Sequence, residues 1–237
     1  MGFSPRQTAN EKPRMQLVAS LASVDFDRLP DLSAADAGIV RVSSPAEVKT
    51  LEKLGKTMEN IPWGAWLKDT GSEGIAKAVK SGCDFVVFSP ANTPLSVFKN
   101  DKPGRIMEVA PSLSEELLRT VNDLPVDAVL IVSETEGFLT WRHLMLFRRL
   151  AGLVGKPVLV SAPSKVTADE LQTLWEMGVS GVVITLEDEK AGDRLTALRK
   201  EVEKMPSPSN RKRMKRMALL PRISAETAEP VEEEEEE

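Results

Sequence analysis

Three charged residues lie near the ends of short apolar runs, where an enzyme built on a parallel sheet keeps its chemistry. They are Arg41, Lys68 and Glu108. An arginine guanidinium can form two parallel hydrogen bonds to a carboxylate or phosphate. A lysine amine becomes a nucleophile or proton donor when burial lowers its pKa, and a glutamate becomes a general base when its pKa rises. Together the three could bind and polarise a small anionic carbonyl compound.

Strand alternation predicts that these residues share one face. The apolar neighbours of each charged residue suit a face packed against helices, which turns the charged side chain to the opposite, inner face. The same alternation adds two hydroxyl residues, Ser161 and Thr185. We therefore expect Lys68 and Glu108 to be catalytic, and Arg41, Ser161 and Thr185 to bind substrate. The alternative is an internal ion-pair cluster in which the three charges satisfy only one another.

The composition excludes several kinds of site. The chain has one His (His143), one Cys (Cys83) and no Tyr, so it carries no disulfide framework, Cys-based zinc site or tyrosine acid. His143 falls inside a predicted helix, away from any strand end, which argues against a catalytic triad. No spaced ligand motif is present, and we predict neither a metal nor a cofactor.

The elements that must position these residues alternate along the chain. Eight short runs rich in β-branched residues predict strands at Gln16–Ser20, Gly38–Val42, Gly64–Lys68, Asp84–Ser89, Arg105–Val109, Ala128–Ser133, Pro157–Ser161 and Gly181–Thr185. Helical patterns follow most of them, the clearest at Pro45–Met58, Glu73–Ser81, Leu113–Asn122, Thr140–Val154, Ala168–Met177 and Glu189–Lys204.

Strands that alternate with helices indicate parallel pairing. Eight units within residues 15–205 favour a compact (β/α)8 TIM barrel over an open doubly wound sheet, which usually carries a Gly-rich turn after its first strand. Helix starts are predicted by capping boxes that begin at Ser44, Ser112 and Thr167, and Gly178 has the position of a helix C-terminal glycine.

Three segments carry a resemblance to a known superfamily. The segments GCDFVVFSP, LPVDAVLIVSE and KPVLVSAPSKVTADELQTLWEMGVSGVVITL resemble strands and helices of aldolase-type (β/α)8 barrels. The pattern L-x-x-M-G-V-x-G-V-V-I is similar to the last units of phosphate-binding members. The resemblance covers most of residues 15–205 and implies the barrel fold. These are scaffold motifs, so they imply no particular reaction.

The phosphate-binding turns of such barrels are missing. The turn after the seventh predicted strand, 162–165, has no glycine, and the segment after the eighth, 186–190, holds three acidic residues that would repel a phosphate. Either the expected small anionic metabolite is not phosphorylated, or the phosphate site of the fold has been lost in this chain.

The two ends of the chain lack the apolar pattern of a folded core. Residues 1–14 form a polar arm without the features of a secretory signal, which together with the lone Cys predicts a cytoplasmic protein. Residues 206–237 predict a disordered tail, in which six basic residues at 211–222 precede eight acidic residues. The net charge of −5 argues against general nucleic-acid binding, and the basic run is the one segment that could contact RNA or an anionic membrane. No run is long enough to span a membrane.

The predicted helix at Thr140–Val154 has more apolar residues than one buried face needs. The surplus around Trp141 predicts a subunit or partner contact, with a homo-oligomer as one form of it. Two functions therefore remain open from the sequence. One is a lyase- or isomerase-like enzyme acting on a small carboxylated or carbonyl compound. The other is a non-catalytic barrel that binds partners through this helix and the charged tail.

Overall fold

A computed structural model gives the fold and describes residues 14–21, 30–42, 51, 58, 61–67, 71–95, 103–133, 137–186 and 191–206. The chain divides into one unit at 1–207 and a second at 208–237. The second unit, most of the polar arm and Lys68 lie outside the described residues.

The first unit is a closed barrel of eight parallel strands in chain order. The strands are β1 (Gln16–Leu21), β2 (Ala37–Val42), β3 (Trp63–Leu67), β4 (Phe85–Phe88), β5 (Gly104–Val109), β6 (Ala128–Ile131), β7 (Val158–Ala162) and β8 (Gly181–Leu186). The barrel closes where β1 pairs with β8, from Gln16 opposite Gly181 to Leu21 opposite Leu186. This closure confirms the (β/α)8 barrel and rules out the open doubly wound sheet.

Among the described residues, helices follow β3, β5, β6, β7 and β8 on the outside of the barrel. The described helices are α1 (Gly71–Lys80), α2 (Glu115–Thr120), α3 (Trp141–Leu153), α4 (Ala168–Glu176) and α5 (Ala191–Lys204), with a 3-10 turn at Val121–Asp123. All five were predicted, with ends that differ by at most two residues. Of the helix predicted at Pro45–Met58, only Leu51 and Met58 are described; Leu51 is helical and Met58 is not. The capping box predicted at Ser44 lies outside the described residues.

The helix ends show where local signals hold and where they fail. At α4 the Thr167 side chain accepts from the Glu170 N–H while the Glu170 carboxylate accepts from the Thr167 N–H, which confirms that capping box. Gly178 follows α4 with a φ of +97°, as a C-terminal glycine should. The box at Ser112 was wrong. Ser112 lies in a turn, and Ser114 caps α2 two residues later.

Strand alternation divides the apolar core into two clusters. One contains strand residues only and fills the barrel interior: Val18, Ile39, Trp66, Phe85, Val87, Leu130, Leu159 and Val183. The other joins the opposite strand faces to the helices and includes Phe147, Leu150, Leu171 and Leu174. Each strand therefore sends alternate residues into the barrel and against the helices.

A repeated polar contact closes the amino-terminal end of the barrel. The residue before each even-numbered strand accepts a hydrogen bond from a backbone N–H at the start of the preceding odd-numbered strand. The pairs are Asp36 with Leu17 (2.8 Å), Asp84 with Trp63 (3.0 Å), Asp127 with Arg105 (2.8 Å) and Ser180 with Val158 (3.2 Å). Asp36 also forms an ion pair with Arg199 at 2.7 Å, which ties α5 to this end. The barrel thus has a four-fold repeat of two-strand units.

Barrel closure predicts a clear effect of one added methyl group. A Cβ on Gly181 would lie 2.9 Å from the Gln16 backbone oxygen and 2.8 Å from Leu159 Cδ2. Because the backbone clash cannot be relieved by a side-chain rotation, we expect Gly181→Ala to lower the free energy of unfolding by about 2 kcal/mol or more in urea denaturation. Gly152→Ala is the control, since nothing lies within 4 Å of that Cβ and α3 should gain stability. Equal effects of the two substitutions would contradict the packing at β8.

The lone thiol predicts a pH effect on stability. Cys83 is buried, and this burial, with the neighbouring Asp84 charge, raises its pKa from 9.0 to about 12. The thiol is neutral in both states below pH 9, so its contribution is fully present there. Above pH 9 only the unfolded chain ionises, and stability falls as the pH rises towards 12. Between pH 8 and pH 10, wild-type protein in reductant should lose about 1 kcal/mol more stability than Cys83→Ala. Parallel pH profiles for the two proteins would refute this.

Candidate functional site

Six of the eight strands carry a polar or amphipathic residue at the next-to-last position, on the parity of the interior cluster. These residues are Ser20, Arg41, Trp66, Glu108, Ser161 and Thr185. The other two next-to-last residues are Val87 and Leu130, which are fully buried in the interior. Because all eight strands are parallel, these positions form one ring at the carboxyl end of the barrel, where (β/α)8 enzymes hold their active sites. We call this ring the mouth.

Contacts with Ser20, Thr185 and Trp66 hold Arg41 in the mouth. Its Nε donates to Ser20 Oγ and its Nη2 to Thr185 Oγ1, both at 3.3 Å. Its Cζ lies 4.5 Å from the centroid of the Trp66 ring. The face of an indole attracts a cation, so the ring and the two hydroxyl groups fix the guanidinium at the top of β2.

Trp66 connects this cation to a carboxylate. The indole N–H of Trp66 donates to Glu108 Oε1, and the Trp66 side chain is buried while Glu108 is half-buried. A buried tryptophan needs an acceptor for its N–H, and Glu108 supplies it. Arg41 and Glu108 therefore meet the same indole, one over its ring and the other at its edge. The sequence alone indicates no role for Trp66, because the link depends on contacts between β2, β3 and β5.

Two hydroxyl groups at this end lack a partner among the described residues. They are Ser161 Oγ on β7 and Ser133 Oγ, which follows β6 by two residues, and both atoms are buried. A buried polar atom without a hydrogen bond costs about 1–3 kcal/mol, so such atoms mark places where a ligand can supply the partner. Since β7 lies four strands from β3, Ser161 faces the mouth from the side opposite Trp66.

The structure brings together most of the residues that the sequence singled out. Arg41 and Thr185 are in contact, Glu108 joins them through Trp66, and Ser161 lies across the mouth. The position of Lys68, one residue beyond the end of β3, lies outside the described residues. Within the parts of the chain that are described, no three His, Cys, Asp or Glu residues are grouped so as to hold a metal ion. Likewise, none of the described helices is long and apolar enough to cross a membrane.

A concave surface, which we call the outer cavity, lies outside the barrel between the amino-terminal ends of α3 and α4. The cavity has a volume of about 490 Å³. Its lining is mostly apolar, with two acidic residues: Phe138, Leu139, Thr140, Trp141, His143, Leu144, Phe147, Asp169, Glu170, Thr173 and Leu174. Trp141 is 81% exposed, Met145 72% and Phe138 60%. His143 has a structural role here, because its Nδ1 accepts from the Thr140 N–H and completes the cap of α3.

Comparisons with known proteins support the fold. No family model matches the chain, and no curated protein matches it. Among solved structures, two mutants of the tryptophan synthase alpha-subunit from the hyperthermophile Pyrococcus furiosus are similar, with TM-scores of 0.63 and 0.60 and identities of 15% and 18%. In both cases the match covers 81% of this chain and 98% of the other. A protein from Aquifex aeolicus VF5 matches with a TM-score of 0.54 and 14% identity, over 82% of this chain and 94% of that one.

Identities this low establish architecture and leave the reaction open. Together with the closed eight-stranded barrel, they show that the chain has the fold of the aldolase-type (β/α)8 barrels.

Proposed function

We propose that this protein is a lyase- or isomerase-like enzyme that binds a small carboxylated or carbonyl compound in the mouth of the barrel. The observation that carries the proposal is the pair of opposite charges, Arg41 and Glu108, that contact one indole at the catalytic end of the fold. Chemistry next to a carbonyl group needs at least two groups: a cation that binds the anionic substrate and a carboxylate that transfers a proton.

Each residue has a role in this proposal. Arg41, oriented by Thr185, binds the substrate carboxylate. Ser161 donates to a polar group at the far end of the substrate, which would give its buried hydroxyl a partner. Glu108 is the general acid or base and acts through Oε2, because Trp66 holds Oε1. Lys68 remains a catalytic candidate from the sequence, as an amine nucleophile or proton donor.

The turn after β7 limits the substrate. Val166 N–H donates to the Pro163 carbonyl and closes a turn that contains no glycine. Phosphate-binding barrels use Gly-rich backbone at this place. The proposed substrate is therefore not phosphorylated. We also propose that the protein is cytoplasmic, where its one thiol, the buried Cys83, stays reduced.

A second candidate function has its own observation. Phe138 and Trp141 are exposed and line the outer cavity, and Met145 is exposed one turn further along α3. These side chains support a non-catalytic barrel that binds partners there and through residues 206–237. The two functions differ in the variants that abolish them. For an enzyme, Arg41→Gln would remove ligand binding in the mouth and Glu108→Gln would lower turnover. For a binding protein, Trp141→Glu would remove partner binding at the outer cavity.

Ligand binding tests the role of Arg41. In a thermal-shift screen of small carboxylates and carbonyl compounds, a ligand at 100 times its Kd adds about 2.7 kcal/mol, which raises the Tm by roughly 5–10 °C. We expect a selective shift in the wild-type chain, its loss in Arg41→Gln, and its full retention in Arg119→Gln, an exposed arginine on α2. A shift that survives Arg41→Gln, or no shift across the panel, would count against the proposal.

Turnover tests the role of Glu108 separately. For a compound that passes the binding screen, Glu108→Gln should lower kcat by about 10²–10⁴-fold, because the amide keeps an acceptor for Trp66 but cannot move a proton. The Kd should change little. Glu115→Gln, an exposed glutamate on α2, is the matched control. Unchanged turnover in Glu108→Gln would remove Glu108 from the mechanism while leaving the binding site in place.

A further inference from the structure

The outer cavity lies between two helices of opposite charge. α3 carries the exposed arginines Arg142, Arg148 and Arg149, while α4 carries Asp169, Glu170 and Glu176. Arg148 donates to the Met177 carbonyl and Arg149 to the Leu113 carbonyl. Among the described residues, none of the three arginines forms an ion pair within 4 Å. The charges of the two neighbouring helices are thus not paired with each other.

A surface that carries a basic helix beside an acidic helix can be complementary to the same surface on a second copy. A two-fold axis places the same patch on both subunits, so that residue i of one copy meets residue j of the other and the reverse. If α3 of one copy lies against α4 of the other, the basic helix faces the acidic helix twice. Complementary charges of this kind fix the orientation of an interface.

The apolar part of the patch has the composition of an interface centre. Trp141 and Phe138 lie at the rim of the cavity, and Met145 is one turn further along α3. Aromatic side chains bury about 150–250 Å² each, so the exposed parts of these two rings offer roughly 300 Å² per copy. A standard interface buries about 800 Å² per partner, so the charged flanks of both helices must supply the rest.

We propose that a second copy of this chain docks on this face across a two-fold axis. Phe138 and Trp141 of each copy enter the cavity of the other, and Arg142 of each copy faces Asp169 of the other. The proposal is independent of the chemistry in the mouth.

Molecular mass in solution tests the interface. Sedimentation equilibrium of the full wild-type chain at micromolar concentration should give twice the chain mass of 26.0 kDa. Trp141→Glu should raise the dimer Kd at least about 30-fold, as expected for a central aromatic residue. Leu124→Glu is the control, because Leu124 is an exposed apolar residue near the start of β6 at the opposite end of the barrel. A monomeric wild-type chain at about 100 µM, or a dimer that Trp141→Glu leaves intact, would overturn the proposal.

A charge swap tests the orientation and guards against unfolding. Arg142→Glu and Asp169→Lys should each weaken the dimer, because each places like charges together at two symmetric contacts. The double variant restores opposite charges and should recover dimerisation towards the wild-type Kd. Circular dichroism and the Tm of each variant report its folding independently. A double variant that is weaker than both single variants would exclude this docking geometry, even if the wild-type chain is a dimer.

Discussion

Closure of the sheet is the constraint on which the rest of this structure depends. Once β1 pairs with β8, every strand must send alternate residues into an interior of fixed volume. Gly64 shows how tightly that volume is filled, since a Cβ there would lie 2.3 Å from atoms of the Phe85 ring. The same alternation that buries Phe85 and Val87 carries the next-to-last residue of each strand to the mouth. The candidate site is thus a consequence of barrel geometry.

Trp66 has two roles because of this geometry. Its indole is part of the apolar interior, where it packs with the other inward residues. The face of the indole and its N–H nevertheless contact polar residues of the mouth. The guanidinium of Arg41 lies over the face, and the carboxylate of Glu108 accepts from the edge. A charged pair placed this way is separated by a rigid ring, which leaves each group oriented for a ligand that contacts both.

The sequence predicted the barrel because its signals are local. β-branched runs of similar length and amphipathic helices between them do not depend on distant contacts, and strand alternation follows from the backbone alone. The inward positions of Arg41, Glu108, Ser161 and Thr185 could be predicted in this way. The link through Trp66 could not, because it depends on packing across three strands. At α2, both Ser112 and Ser114 have the residue type of a helix cap. Ser112 lies in a turn closed by the Leu113 N–H and the Ala110 carbonyl, so the helix starts later and Ser114 caps it.

The four-fold repeat at the amino-terminal end was missed although its signal is readable. Asp36, Asp84, Asp127 and Ser180 each stand directly before an even-numbered strand. A short acceptor at that place can bond a neighbouring strand's N–H, so regular spacing of such residues is a marker of two-strand units. This end carries stability and the opposite end carries the candidate chemistry, which is the division expected of the fold.

The most direct test of the link between Arg41, Trp66 and Glu108 is an NMR measurement on the four tryptophan indole N–H groups of the ¹⁵N-labelled chain. The resonance that disappears in Trp66→Phe should shift in Glu108→Gln, because the charged acceptor is lost, and should move again during titration with a compound that binds the mouth. The resonances of Trp141 and Trp175, on the outer helices, should stay in place during that titration. A Trp66 resonance that is unchanged in Glu108→Gln, and unchanged by every carboxylate and carbonyl compound tested, would contradict a binding site built on this link.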